Sequence, residues 1–474
     1  MRERGLLIGS EEIKTGNLLE VKNPFTGNVV AAYHLAGREE VERAIELAAK
    51  SFEKYRNLPL YERKSILERT ADLIEKRIDE LAGIITEEAG KPIKYSLGEV
   101  KRAVVTFKTA AAETLRLGGE VIPLDVEPRA KGRMGIVKRF PIGPILGITP
   151  FNFPLNLTAH KAAPAIASGN TAILKPPPQA PGAVYALRDI LVEAGLPEDY
   201  LSVVLAPNEL AENMVRDVRI KLLSFTGSAR VGWYLKSVAG RKRVLLELGG
   251  NAACIVHNDA DLRRAAKLMA AGGMAFAGQV CISVQRVLVQ KKIYDDFKDA
   301  LIAELKELKV GDPADPEVVL GPMISESEAQ RALSWIEEAL EKGGKLLLGG
   351  KGEGQLIEPT LLENVPLDCR VWREEVFAPV IVLRPYGDFQ EAIDLTNDSE
   401  YGLQAGLFTK NSELIYRAFH EIEVGGLVVN DVPTFRVDPM PYGGTKGSGA
   451  GREGPRYAIE AMTEPRLLIY TPET

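Results

Sequence analysis

From Gly143 onward, short apolar runs alternate with helical patterns, and this alternation restricts the fold more than any other feature of the chain. Residues 144–148, 171–174, 201–205 and 222–225 read as strands, and the helices that follow them start near Leu155, Gln179, Glu209 and Val231. Strand–helix units of this length build a parallel, doubly wound sheet. Such sheets bind ligands at the carboxyl ends of their strands. Here those ends carry the loops Thr149-Pro150-Phe151-Asn152, Lys175-Pro176-Pro177-Pro178 and Phe225-Thr226-Gly227-Ser228.

A second α/β pattern runs from about residue 251 to 430, with strands near 286–289, 380–383 and 427–429 and a turn at Gly349-Gly350-Lys351-Gly352. In front of both, Val41, Ala44, Ile45, Ala48 and Phe52 recur at helical spacing, as do Ile66, Leu67, Leu73, Ile74, Ile78 and Leu81. Gly90-Lys91-Pro92 stops this helical segment, which reads as amphipathic cover without chemistry. Segments 135–139 and 466–470 have no helical partners and are expected to pair with each other or with a neighbouring subunit.

At 474 residues the chain exceeds a single core, and about three domains are expected. Its 59 basic and 65 acidic residues are spread along the chain with no basic stripe, which argues against nucleic acid as a partner. The apolar run 6–8 is too short for the core of a signal peptide, and no charge-free apolar stretch is long enough to span a bilayer. Cys254, Cys281 and Cys369 form no CxxC or metal-ligand spacing, and the four histidines are scattered. A cytoplasmic, reduced protein without structural metal is expected.

Three polar residues stand where structure alone does not ask for them. Cys281 follows Gly278-Gln279-Val280 after a helix-like run, and a turn there would project its thiol from a helix end, where a thiolate is better stabilised. An isolated cysteine is also a common small buried hydrophobe, a description that suits Cys254 within 252–256. Cys369 lies in a polar loop with nothing nearby to activate it. Glu247 stands in the middle of an apolar strand followed by Gly249-Gly250, where burial would raise its pKa towards that of a general base; the alternative is an inward salt bridge to Lys242 or Arg243. Asn152 sits between two prolines and two aromatics, either as a donor to a developing oxyanion or in an Asx-type turn.

Phe151-Asn152-Phe153-Pro154, Leu174-Lys175-Pro176, Phe225-Thr226-Gly227-Ser228 with Gly232, and Glu247-Leu248-Gly249-Gly250-Asn251 occur in that order. Gly278-Gln279-Val280-Cys281, Glu375-Val376-Phe377-Ala378-Pro379 and Pro441-Tyr442-Gly443-Gly444 follow. Together they resemble the NAD(P)-dependent aldehyde dehydrogenase superfamily over nearly the whole chain, and seven ordered matches are far more specific than any one. The resemblance implies a doubly wound cofactor domain at 1–118 and 139–246 and a second α/β catalytic domain at 247–440. Small β oligomerisation or bridging strands at 119–138 and 441–474 would join a homodimer or homotetramer.

By the same resemblance, Cys281 attacks an aldehyde, Asn152 and the Cys281 N–H hold the oxyanion, and Glu247 activates the water that hydrolyses the thioester. Lys175 is assigned to the adenosine ribose, Ser228 to the pyrophosphate, Glu375 to the nicotinamide ribose and Phe377 to the side of the ring. Ile148, Thr149, Pro150, Phe151, Asn152, Pro178, Gly227, Val231, Glu247, Leu248 and Gly249 complete the cofactor set, and Phe153, Phe107, Ser283 and Arg436 form the substrate set. Many NAD-preferring members carry a glutamate where Pro178 stands; its absence removes a charge that would repel a 2′-phosphate, so NADP is expected to be accepted alongside NAD. Ala206-Pro207-Asn208 replaces glycines near the adenine, and Ala378 replaces a usual glycine.

Among members, the chain looks closest to archaeal lactaldehyde-type and non-phosphorylating glyceraldehyde-3-phosphate dehydrogenases. Relatives with phosphorylated substrates place arginine before the cysteine, and Val280 argues against that class. Arg436 is a candidate contact to a small polar aldehyde such as lactaldehyde or glyceraldehyde, or else pairs with Asp438 or across a subunit contact. Succinate semialdehyde or a broad range of aliphatic aldehydes is the alternative. A CoA-acylating enzyme is disfavoured by Glu247, and a silent binding protein by the intact Cys281, Glu247 and Asn152.

Overall fold

The structure is a computed structural model and describes residues 2–471. The centre of an eight-stranded sheet is parallel, in the spatial order Arg243–Glu247, Leu222–Thr226, Ile145–Ile148, Ala172–Lys175, Leu201–Val203. The chain starts at Ile145–Ile148, winds outwards to one side, then returns and winds outwards to the other. The order therefore reverses between Ile145–Ile148 and Leu222–Thr226, and that reversal leaves a crevice at the strand ends. Gly449–Ala450 pairs antiparallel with Arg243–Glu247 at one edge, and Leu6–Ile8 and Glu11–Ile13 close the other. The connecting helices are Asn156–Ser168, Gly182–Glu193, Asn208–Arg216 and Ala229–Val238, close to their expected starts.

Leu248-Gly249-Gly250-Asn251 is all that separates this sheet from Ala252–Val256, the first strand of a seven-stranded sheet. That second sheet is parallel except for the edge strand Lys345–Leu348. Each sheet has its own apolar core. In front, helices Arg38–Tyr55, Leu60–Lys76 and Ile78–Ala89 cover the first sheet, and Gly90 ends the third in a left-handed conformation (φ 66°) that glycine adopts without a Cβ penalty.

The two unpartnered segments do pair: Thr463–Tyr470 and Gly119–Pro123 flank Met134–Pro141 in an antiparallel three-stranded sheet. The stretch 441–474, expected as bridging strands, is divided. Gly449–Ala450 belongs to the eight-stranded sheet, Pro455–Ala461 is a helix against Asn156–Ser168, and Thr463–Tyr470 enters the small sheet. Residues 472–474 lie outside the described residues. Cys369 is not in an exposed polar loop; its side chain is fully buried in the second core at the start of the helix Arg370–Arg373. No helix of the described residues is long and apolar enough to cross a membrane.

Helix Asn156–Ser168 is buried along all 13 of its residues, so His160 and Lys161 on it must find polar partners inside the protein. Helix Ile93–Thr114 packs against it and carries Phe107 fully buried in the first core. Phe107, expected at the substrate, is therefore a packing residue, because the helix turns that face into the core. Phe107→Ala is expected to lower stability by about 3–5 kcal/mol in a denaturant titration while leaving Michaelis constants unchanged.

Candidate active site

The crevice is a cavity of about 560 Å³, walled by Ile148, Thr149, Pro150, Phe151 and Asn152, by Lys175 and Pro178, and by Gly227 and Ser228. Leu248 and Gly249, Glu375 and Phe377 close it, and Cys281 stands at its inner end. Two residues expected in the cofactor set do not line it. Val231 lies on the outer face of its helix, 38% exposed, and Glu247 is behind the wall. Ser283 is committed elsewhere, with Oγ donating to the carbonyls of Gly272 and Gly273.

Helix Leu262–Met274 ends before Cys281, and the chain leaves it through Phe276 (φ 52°), Ala277 (φ 53°) and Gly278 (φ 69°). Two consecutive non-glycine residues in the left-handed region cost about 1–3 kcal/mol each, so the surroundings must hold the loop. A Cβ on Gly278 would lie 2.2 Å from the Ala378 carbonyl oxygen, and one on Gly250 would lie 2.2 Å from that of Cys281. Cys281 thus lies seven residues beyond the carboxyl end of that helix, outside the last turn to which a dipole effect is confined, so the expected helix-end stabilisation is absent. Burial pushes its thiol up to about 11, partly offset by the Tyr442 hydroxyl 3.0 Å from Sγ. The resting residue is a thiol, and a base must take its proton.

Glu247 is 5% exposed, and its Oε2 has no hydrogen-bond partner among the described residues. The alternative salt bridge does not form: Lys242 donates to the Val215 carbonyl, and Arg243 to those of Ala461 and Thr463. Burial, then the negative charge of Glu453, hold the Glu247 carboxyl well above the usual carboxylate range. Its Oε1 lies 3.0 Å from where a Cβ of Gly443 would stand. Asn152 Nδ2 donates to the Gln279 carbonyl (2.9 Å), which ties it to the Cys281 loop and leaves its second amide hydrogen free to donate.

Behind the cysteine is a charged cluster that sequence reasoning missed. Lys161 Nζ reaches Thr226 Oγ1 (2.7 Å) and Glu453 (3.4 Å), and Arg436 pairs with Glu453 (3.0 Å) while lying 3.6 Å over the Tyr442 ring. Arg436 does not pair with Asp438, which instead receives the Arg102 fork and His160 Nε2 (2.9 Å). Burial holds His160 below its ordinary value; Glu453 is pulled down to about 2 despite its burial, chiefly by Lys161, then His160 and Arg436. Arg102 therefore faces the carboxylate of Asp438, and Lys161 and Arg436 that of Glu453. His160-Lys161 inside an otherwise apolar run was the available signal; Glu453, in a glycine-rich tail, carried none.

The cavity suits a dinucleotide. Lys175 is 6% exposed at its wall, no acceptor among the described residues reaches its Nζ, and burial alone holds it down at about 8. Such an ammonium lacks an anion or a set of hydroxyls. Helix Ala229–Val238 begins at the cavity beside Gly227 and Ser228, where free N–H groups favour phosphate. At the other end, burial raises Glu375 to about 7, opposed by the N–H of Gly250 (3.0 Å). Phe377 (φ 51°) meets Phe151 edge to face at 6.1 Å.

A profile of the aldehyde dehydrogenase family matches residues 12–468. The chain is 43% identical over 470 residues to a 3-sulfolactaldehyde dehydrogenase from Priestia aryabhattai, covering 99% of this chain and 98% of that protein. It superposes with a TM-score of 0.97 on aldehyde dehydrogenase 21 from Physcomitrella patens in complex with the product succinate, at 43% identity over 99% of this chain and 98% of that one. The glyceraldehyde-3-phosphate dehydrogenase GapN from Methanocaldococcus jannaschii complexed with NADP gives a TM-score of 0.93, at 39% identity over 97% and 100% of the two chains.

Because Cys254 and Cys369 are fully buried, an alkylating reagent should label Cys281 alone. Its labelling rate is expected to climb with pH through and beyond the ordinary thiol value of about 8.5. A plateau at neutral pH would instead reveal a resting thiolate.

Proposed function

The chain belongs to the aldehyde dehydrogenase family and is an NAD(P)-dependent enzyme, and from that premise we propose how its own residues carry out the oxidation. The observation that carries the proposal is a half-buried thiol at the cavity end, with a buried carboxyl lacking a hydrogen-bond partner at its second oxygen and a tethered amide close by. Cys281 gives up its proton to solvent, and the thiolate adds to the aldehyde carbon. The oxyanion accepts from the free Asn152 amide hydrogen and the Cys281 backbone N–H. A bound nicotinamide would supply the hydride acceptor for this step, so that the carbon held by Cys281 is left as a thioester. Glu247 then removes a proton from water as it attacks, and the collapsing intermediate expels the thiolate and releases the carboxylic acid. Lys175 and Glu375 would hold the two ends of the cofactor. The absence of an acid at Pro178 supports use of NADP as well as NAD.

The substrate we favour is a short hydroxyaldehyde such as lactaldehyde or glyceraldehyde, not a phosphorylated one, because Val280 leaves no arginine beside the nucleophile. A second reading, an aldehyde with an acidic end such as succinate semialdehyde, draws on the cations Arg436 and Lys161 in the buried cluster behind Cys281. CoA is not expected to resolve the thioester, since Glu247 supplies the base for water. We further infer a homodimer or homotetramer, because Val121, Met134, Leu467, Leu468, Ile469 and Tyr470 expose apolar surface on the three-stranded sheet.

Asn152→Ala is expected to lower kcat by about 10²–10³-fold. Glu247→Gln should lower it by about 10²–10⁴-fold, keep a first-turnover burst of reduced cofactor, and lose the rise of rate with pH that a raised carboxyl pKa imposes. An unchanged pH profile would remove Glu247 from the reaction. Ranking aldehydes by kcat/KM without CoA decides the substrate: hydroxyaldehydes first supports the main reading, acidic aldehydes first the second, and unsubstituted aliphatics first overturns both. The same constants for NADP and NAD test Pro178, and a large NAD preference would show that it is not the determinant.

A further inference from the structure

Gly90-Lys91-Pro92 reads in the sequence as a helix stop, yet Lys91 is among the most deeply buried cations in the protein. Its side chain is 1% exposed and that of its partner Glu99 is 0% exposed, with Nζ 2.7 Å from Oε2. The same ammonium donates to the backbone carbonyl of Asn152 at 2.9 Å and lies 3.4 Å from the centre of the Phe153 ring. Glu99 uses its other oxygen, Oε1, to accept the N–H groups of Leu155 (2.8 Å) and Asn156 (3.0 Å), at the start of helix Asn156–Ser168. One ion pair thus grips both ends of the turn that displays the Asn152 side chain.

A buried lysine–glutamate pair is seldom the most stable filling for a core, since apolar residues of similar volume often do as well or better. What apolar residues cannot do is hold a carbonyl and two N–H groups in one fixed relation. The Asn152 carbonyl fixes its peptide plane, and the two N–H groups fix the other end of the turn. With its own carbonyl and the turn that follows anchored, the direction of the Asn152 side chain is set before any substrate arrives. From the Cys281 side, the Gln279 carbonyl supplies the remaining tether.

We propose that Lys91 and Glu99 are the positioning pair for Asn152, acting on the reaction through that amide. The inference rests on the reading of Asn152 as an oxyanion donor. The test is a double-mutant cycle in the full-length enzyme with its aldehyde and cofactor. Lys91→Met is expected to lower kcat by about 10–100-fold, the loss that follows a misplaced catalytic group, with the cofactor KM and the alkylation rate of Cys281 unchanged. In an Asn152→Ala background the same change should cost less than about twofold, because the group it positions is gone. Losses that multiply, or a changed Cys281 alkylation rate, would show a general structural role and overturn the proposal. If Asn152→Ala alone leaves kcat unchanged, the oxyanion reading fails, and that failure is separately visible from the single variant. Should Lys91→Met not fold, Glu99→Gln, which keeps shape and the Oε1 acceptor, takes its place in the same cycle with the same criteria.

Discussion

Between Glu247, the last residue of one sheet's strand, and Ala252, the first of the other's, the chain has four residues in which to cross from one core to the next. Two of them are glycines pressed against the site: a Cβ on Gly249 would meet Glu375 Oε2 at 2.4 Å, and one on Gly250 the Cys281 carbonyl oxygen at 2.2 Å. This close approach places a carboxyl from the first sheet beside a thiol from a loop of the second. It also forces both groups out of water, since neither wall can retreat. The raised pKa values of Glu247, Cys281 and Glu375 all have burial as their largest cause and follow from that packing.

Burial on this scale makes charge pairing compulsory. The fully buried helix Asn156–Ser168 carries Lys161 and His160 into the interior, and Glu453 and Asp438 come from the far end of the chain to meet them. Arg436 joins the network and lies flat on Tyr442, whose hydroxyl touches the Cys281 sulfur. The C-terminal part of the chain, from Arg436 to Glu453, is thereby tied to the reactive group by electrostatics as well as by the strand pairing of Gly449–Ala450. In the separate loop that carries Asn152, the buried Lys91–Glu99 pair meets the same requirement.

Much of this was legible in the linear chain. The alternation of apolar runs and helical patterns located four of the five parallel strands of the first sheet to within a residue or two, since a short strand buried in a parallel sheet has to be apolar almost throughout. The loops at the strand ends stood out because proline, glycine and asparagine are uncommon there without a backbone or ligand requirement. Phe107 and Val231 were misplaced for a related reason: an aromatic or β-branched residue on an amphipathic helix does not reveal which neighbour its face will meet. Lys91 was passed over because a glycine–lysine–proline stop explains itself locally, and a helix stop says nothing about where the lysine side chain goes.

The amino-acid order alone determined the strand–helix alternation, the parallel sheet and the identity of three chemically apt residues, because periodicity and local residue type are properties of neighbours in the chain. Folding decided the rest. That Glu247 finds no salt bridge, that burial raises the Cys281 thiol, and that Arg436 belongs to Glu453 rather than to Asp438 all depend on groups far apart in the chain. Proton affinity and ion pairing are set by burial and by the nearest charge in space, and neither quantity exists until the two sheets have closed on each other.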